Sequence, residues 1–134
     1  MNLRTIFSFF GKRWSKPANK KRHGHYRLLS KKGDTESEGD YFEGVRVGTW
    51  RTYYASGAVA IEENYSNGKR EGTYKAYFES GSLMSEGFYH HNKRHGRFLI
   101  YNSDSAVVRV LTFHHNKLIR NEPEINSTVH TAFG

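Results

Sequence analysis

Two pairs of histidines are the residues of this chain whose type and spacing come closest to a chemical site. His90-His91 and His114-His115 lie 24 residues apart. If equivalent segments stack, two imidazoles come close together, and neutral imidazoles bind divalent metal ions. Clustered histidines would also repel one another once protonated, which predicts a pH-sensitive surface. The alternative is that they are hairpin tips in solvent, and on that interpretation we assign no metal ligand.

The carboxylates and hydroxyls of the chain form no catalytic pattern. The serines fall in predicted turns without a nucleophile elbow, and no glycine-rich phosphate loop is present. Glu62, Glu63 and Glu86 alternate on predicted strands, where a solvated face needs charge. The chain has no cysteine, which excludes disulfides, thiolate zinc sites and a cysteine nucleophile. We therefore predict no enzyme, no catalytic residue and no cofactor.

Basic pairs recur at the same spacing as the histidines. Lys69-Arg70 and Lys93-Arg94 follow the same predicted turn in consecutive segments. Stacked segments would line these side chains up as a basic ladder along one edge of a sheet. Such a ladder discourages edge pairing. The alternative is that it attracts an acidic partner surface, lipid headgroups or a phosphate backbone.

A repeat of 24 residues positions all of these groups. Full copies span 41–64, 65–88 and 89–112, a degenerate copy covers about 17–40, and a partial copy begins at 113. A fixed period of this length indicates a repeat architecture. The residues in register include Tyr41, Tyr65, Tyr89 and Phe113; Gly48, Gly72 and Gly96; and Trp50, Tyr74 and Phe98.

Each copy carries two turn signals and therefore two strands. Asn67-Gly68 suits a two-residue type I′ hairpin, and Ser80-Gly81 marks a second turn about a dozen residues later. Such spacing leaves no room for a crossover helix. We predict an all-β fold, a single curved antiparallel meander of tandem 24-residue β-hairpin repeats with eight to ten strands. The recurring Gly48, Gly72 and Gly96 are interpreted as β-bulges.

The second copy resembles a known repeat. Its residues are Asn67-Gly68-Lys69-Arg70-Glu71-Gly72-Thr73-Tyr74, Tyr77-Phe78-Glu79-Ser80-Gly81, Leu83, Glu86-Gly87 and Tyr89. This pattern resembles the MORN-repeat variant of bacterial antitoxin-like proteins. The resemblance implies a twisted antiparallel sheet that binds protein partners, or in some MORN proteins associates with membranes. It implies no catalytic residue.

The N-terminal arm carries the basic charge of the chain. Residues 1–33 hold ten Lys/Arg and no Asp or Glu, whereas residues 34–134 hold eleven Lys/Arg against thirteen Asp/Glu. Apolar residues of the arm follow one face of a helix. This predicts a short N-terminal amphipathic helix within residues 1–22. Its candidate membrane-contacting residues are Ile6, Phe7, Phe10, Lys12, Arg13 and Trp14. The alternatives are a helix that caps the sheet and weak, non-specific contact with nucleic acid.

The domain and partner predictions follow from this division. We predict an arm over 1–22, a repeat domain over 23–120 and a flexible tail over 121–134. The predicted function is binding and neutralising a partner protein, a toxin or effector, in the cytoplasm, with an anionic-membrane scaffold as the alternative. We expect no specific nucleic-acid binding, and open sheet edges are compatible with a homodimer. The candidate partner-binding residues are Tyr53, Tyr77, Tyr101, Lys69, Arg70, Lys93 and Arg94.

Overall fold

The computed structural model describes residues 21–123 and places them in one sheet. β-forming segments alternate with turn signals about every dozen residues, so strand follows strand directly. The strands are β1 (Gly24–Leu29), β2 (Thr35–Phe42), β3 (Val45–Tyr53), β4 (Val59–Ser66), β5 (Lys69–Tyr77), β6 (Leu83–His90), β7 (Lys93–Arg94), β8 (Gly96–Tyr101), β9 (Val107–His114) and β10 (Lys117–Pro123).

The strands lie side by side in the order of the chain. The order runs from β1 to β6 and then from β8 to β10, with the short β7 paired to β6. Neighbouring strands are antiparallel, and the sheet is open and uncurled. This confirms the predicted all-β meander of tandem hairpins. The ten strands of the described residues agree with the predicted eight to ten.

The chain ends bear on three predictions. β10 runs to Pro123, three residues past the repeat boundary predicted at 120. The predicted N-terminal helix, its candidate membrane-contacting residues and the tail from 124 lie outside the described residues. Between residues 21 and 123, no helix is long and apolar enough to cross a membrane.

Each copy ends one hairpin in a two-residue turn with both φ angles positive, which we call a tip. Asn67 and Gly68 have φ of 48° and 80°, as the type I′ prediction requires. The four tips of the described residues are Glu43-Gly44, Asn67-Gly68, His91-Asn92 and His115-Asn116. The last two tips replace glycine by asparagine, which tolerates the left-handed region better than most side chains.

Hydrogen bonds join each tip to the copy before it. The amide of Gly68 donates to the carbonyl of Arg46 at 2.9 Å, and the amide of Asn92 donates to the carbonyl of Arg70 at 3.0 Å. Asn92 adds a bond that glycine cannot make, because its Oδ1 accepts the Arg70 amide at 2.7 Å. Asparagine at this position therefore satisfies the turn and links two copies at once.

Glycine bulges interrupt the pairing between copies. Gly48 and Gly72 have φ of 65° and 101°. Opposite them, the register shifts in β2 and in β4. These shifts confirm the predicted bulges at both positions.

The core lies on one face of the sheet, which we call the aromatic face. Trp50, Phe98 and Phe113 are only 3–5% exposed there. Tyr41 meets Trp50 edge to face with 5.1 Å between ring centroids, and Phe98 meets Phe113 at 5.4 Å. Contacts of this geometry contribute about 0.5–1.5 kcal/mol each beyond burial. The rings thus form an aromatic row in two stretches, from Tyr26 to Tyr65 and from Tyr74 to Phe113.

One arginine of each copy lies over this aromatic row. Cation–π contacts contribute about 0.5–2 kcal/mol, depending on how far the cation is desolvated. The three shortest measure 4.1 Å from guanidinium carbon to ring centroid: Arg46 over Trp50, Arg70 over Tyr89 and Arg94 over Phe113.

Two glycines let large rings settle onto the neighbouring backbone. A Cβ on Gly39 would lie 2.4 Å from the Trp50 ring, and a Cβ on Gly87 would lie 2.4 Å from the Phe98 ring. Neither glycine has a left-handed φ. The close approach of the ring, and not the backbone conformation, therefore requires glycine at both positions.

Gly87→Ala should lower the free energy of unfolding by about 1–3 kcal/mol, because the new methyl group overlaps the Phe98 ring. Urea denaturation followed by circular dichroism measures the change. The control Arg97→Ala alters an exposed side chain of the next strand and should cost less than about 0.5 kcal/mol. If overlap is the cause, Gly87→Ala combined with Phe98→Leu costs less than the sum of the two. Strict additivity would contradict the overlap.

Candidate functional site

The face opposite the aromatic face carries a row of alternating charges, and we call it the charged face. Each member lies directly opposite the next in the strand register. Arg27 Nε donates to Glu38 at 2.8 Å, and Arg51 Nε donates to Glu62 at 2.9 Å. From β1 to β6 the row is Arg27, Glu38, Arg51, Glu62, Lys75 and Glu86. Its charges alternate in sign, so the face is polar without a single-sign field.

The three tyrosines predicted to bind a partner, which we call the tyrosine column, lie on this charged face and are half-buried: Tyr53, Tyr77 and Tyr101. The hydroxyl of Tyr53 donates to Glu38 at 2.6 Å, and that of Tyr101 donates to Glu86 at 2.6 Å. Tyr77 is also half-buried, and its carbonyl accepts a bond from the Tyr54 hydroxyl. Two of the three hydroxyls are therefore already held by the protein itself.

These hydrogen bonds shift the pKa of Glu38 and the pKa of Tyr101. The Tyr53 hydroxyl and then the Arg27 guanidinium lower the pKa of Glu38 from 4.5 to about 2. The Glu86 carboxylate and burial raise the pKa of Tyr101 from 10.0 to about 12. The ionised carboxylate and the neutral phenol are thus the paired forms near pH 7.

The predicted basic ladder divides between the two faces. Lys69 and Lys93 are exposed beside the tips. Arg70 and Arg94 are half-buried and stack on aromatic rings. Arg70 also approaches Glu63 at 3.5 Å. The lysines are therefore accessible to a partner, whereas the arginines stabilise the fold.

One exposed phenylalanine on the charged face, Phe88, was not among the residues predicted from the sequence. Phe88 is 44% exposed. Thr73, which is paired with Phe88, lines a shallow depression of about 270 Å³ together with Lys75, Glu86 and Arg97. Strand alternation could have predicted this exposure, because Phe88 lies between two positions that face the core.

Five histidines gather beside the charged face at the tips of the last two complete hairpins. The rings of His90 and His91 stack with centroids 4.2 Å apart. The His95 ring lies 5.3 Å from that of His114 and 5.2 Å from that of His115. The structure thus brings both predicted histidine pairs to one region, through a residue that the sequence analysis missed. The 24-residue period could have identified this residue, because His95 is the equivalent of Glu71 in the preceding copy.

Two groups within this region have donor atoms close enough to share an ion. In the part of the chain that the structure describes, the potential ligand atoms of His95, His114 and His115 all lie within 4.8 Å of one another. Desolvation, and then the neighbouring His114 and His95, lowers the pKa of His115. The other group consists of Glu71, His90 and His91.

Glu71 is already occupied by hydrogen bonds. Its Oε2 accepts the backbone N–H of His91 at 2.8 Å, and its Oε1 lies 2.8 Å from Nδ1 of His90. The backbone bond from His91 and then the His90 bond lower the pKa of Glu71. This carboxylate therefore orders the tip before any ligand is considered.

Comparison with known proteins identifies two segments of the chain. A family model described as "MORN repeat variant" matches residues 46–67 and 70–91. A comparison with curated proteins gives no match. The two segments start 24 residues apart, and each contains one strand–turn–strand unit of the sheet. The repeat of the family model and the structural repeat are thus the same unit.

Acid should remove the stabilisation that ionised Glu38 provides. Because its pKa in the folded protein is below the usual 4.5, this stabilisation is present above about pH 5 and is lost as the pH falls toward 2. We expect a contribution of about 1 kcal/mol, since the pair is partly hydrated. Glu38→Gln should therefore be less stable than the wild type at pH 6.5, and the difference should be several-fold smaller at pH 2.5. Urea titrations at both values measure this, and a difference independent of pH would contradict it.

Proposed function

Because tandem repeats over 46–67 and 70–91 make this chain a member of the MORN repeat variant family, we propose that it is a non-enzymatic scaffold that binds a partner protein on its charged face. The aromatic face holds the sheet together and is stacked with arginines. The charged face presents half-buried tyrosines, exposed lysines and an exposed phenylalanine. It is therefore the face with side chains available to another protein.

The exposure of Phe88 is the observation that carries this proposal. The ring is 44% exposed, and its strand partner Thr73 lines a depression together with Lys75, Glu86 and Arg97. An apolar side chain within a polar rim is typical of the central residues of protein interfaces. Burying the exposed 44% of this ring against a partner would contribute about 0.7–1.3 kcal/mol, in proportion to the value for a whole side chain.

The tyrosine column supports the same face. Tyr53 and Tyr101 are held by their carboxylate partners before any binding occurs. Side chains already ordered in this way lose less conformational entropy on association. Tyrosine also presents both apolar surface and a polar group to a partner.

The exposed lysines favour a partner with an acidic contact region. Lys69 and Lys93 project beside consecutive tips and repeat at the period of the sheet. Charges at the rim of an interface raise the rate of association more than its affinity. We propose that these two lysines attract the acidic region of the partner and so speed association. Arg70 and Arg94 instead stack on rings of the aromatic face.

The sharpest form of the proposal is a bacterial antitoxin or immunity protein that acts in the cytoplasm. It would neutralise a toxin or effector by covering part of that protein's surface. The resemblance of the repeat to those of antitoxin-like proteins supports this form. Residues 34–134 hold eleven Lys/Arg against thirteen Asp/Glu. This part of the chain therefore has no large net charge that would repel an acidic or a basic partner.

Co-expression with the product of the adjacent gene tests this function. If that product stops growth, the full chain should restore growth and co-purify with it. Phe88→Asn introduces the residue found 24 positions earlier, at Asn64, and should weaken co-purification by about tenfold or more. Surface plasmon resonance with the purified pair gives the affinities.

The matched control replaces another exposed apolar residue on a different part of the sheet. Leu118 in β10 is 47% exposed, and Leu118→Arg introduces the residue present 24 positions earlier, at Arg94. This variant should bind within about threefold of the wild type. Failure of the two proteins to co-purify would refute the antitoxin form. Equal loss in both variants would refute the charged face as the contact.

The basic arm favours a second candidate, a scaffold on anionic membranes. Ten Lys/Arg without an acidic residue in 1–33 would attract anionic lipid, at about 1 kcal/mol for each basic residue near the surface. The apolar residues Ile6, Phe7, Phe10 and Trp14 would enter the interface, with Lys12 and Arg13 beside them.

Liposome flotation separates this candidate from the first. The full chain should float with vesicles that contain phosphatidylserine, and a chain that starts at residue 23 should stay at the bottom. Vesicles of phosphatidylcholine alone are the control, since they lack the negative surface charge. Equal behaviour of both chains, or no flotation at all, would contradict membrane anchoring.

A further inference from the structure

The tip after β9 does not need the imidazoles of His114 and His115 to fold. A tip requires two residues with positive φ, and the Asn67-Gly68 tip meets that requirement without histidine. The residues equivalent to His114 and His115 two copies earlier are Ser66 and Asn67. The fold therefore accepts serine at the end of the strand and asparagine at the first tip position, where the last hairpin has two imidazoles.

The three imidazoles nearest one another come from two elements that the register holds together. His95 lies between β7 and β8, and His114 and His115 lie at the end of β9 and in the tip that follows. Gly96 pairs with Phe113, so the two segments are adjacent on neighbouring strands. The backbone thus fixes the spacing of the group, and only side-chain rotation is left free.

His95 has a polar atom that the described residues leave without a partner. Its Nδ1 is buried, and no hydrogen-bond partner lies in reach within residues 21–123. An unpaired buried polar atom costs about 1–3 kcal/mol. A metal ion bound through this nitrogen would supply the missing interaction.

We propose that His95, His114 and His115 form a binding site for a divalent late first-row transition metal ion, with Zn²⁺ as the reference. Their potential ligand atoms lie within 4.8 Å of one another. Zinc–nitrogen bonds of about 2.0–2.1 Å place two tetrahedral ligands about 3.3 Å apart. His114 and His115 are exposed, so their rings can rotate to bring the ligand nitrogens to this closer spacing.

The chemistry of the donors selects the class of metal. Imidazole nitrogen suits Zn²⁺, Cu²⁺ and Ni²⁺, whereas Mg²⁺ and Ca²⁺ prefer oxygen. Three imidazoles leave the fourth tetrahedral position to water or to a group of a partner. The group of Glu71, His90 and His91 fits less well, because both oxygens of Glu71 already have hydrogen-bond partners.

Isothermal titration calorimetry of the full chain with ZnCl₂ tests the site, after chelator treatment and its removal. We expect one ion per chain and no binding heat with MgCl₂ at the same concentration. His114→Ser with His115→Asn introduces the residues found two copies earlier, Ser66 and Asn67, so the fold should be kept. This double variant should lose zinc affinity by about tenfold or more.

The other tip provides the matched control. His90→Ser with His91→Asn removes two imidazoles by the same exchange and should leave zinc affinity within about threefold of the wild type. Far-ultraviolet circular dichroism and the thermal midpoint establish that both double variants are folded. With Co²⁺ as the probe, the wild type should show the visible absorption of tetrahedral cobalt, and the His114/His115 variant should not.

Three results would overturn the site. The first is the absence of zinc binding by the full wild-type chain. The second is undiminished binding in the folded His114/His115 variant. The third is a greater loss in the His90/His91 variant, which would place the ion at the other tip. Each result is independent of whether a partner protein binds the charged face.

Discussion

The packing of aromatic rings across neighbouring strands is the interaction on which the described sheet depends. Trp50, Phe98 and Phe113 are almost fully buried on one face of that sheet. They reach this burial because rings of adjacent strands meet edge to face and arginines lie over them. Gly87 shows how close the packing is, since even a methyl group there would overlap Phe98. A sheet with one such face can leave the other open to solvent.

This division leaves two regions free of the demands of the core. The charged face needs only polar side chains and a balance of positive and negative charge, which its alternating row provides. The tips must only hold positive φ angles, which glycine or asparagine achieves. A phenylalanine on that face and histidines at those tips are therefore residues that the fold permits but does not require. Both proposed activities use such residues.

The position of each arginine illustrates how the pleat of a strand separates neighbouring side chains. Lys69-Arg70 reads as one basic pair, yet Lys69 is exposed and Arg70 stacks on Tyr89. Neighbours along a strand point to opposite faces, so an adjacent pair cannot form one ladder. The recurring basic pair was predicted correctly from the sequence. The pleat of the strand places the arginine over the aromatic row and the lysine at the surface.

The sequence alone determined the local features of this protein, because each rests on a few neighbouring residues. The 24-residue period, two strands per copy, the Asn67-Gly68 turn and the glycine bulges follow from φ requirements and alternation. Only the tertiary structure decided which side chains meet across copies. It placed His95 beside His114 and His115, and it joined the Tyr53 hydroxyl to Glu38. Those contacts depend on register, and each bulge shifts the register by an amount that the pattern of residue types does not contain.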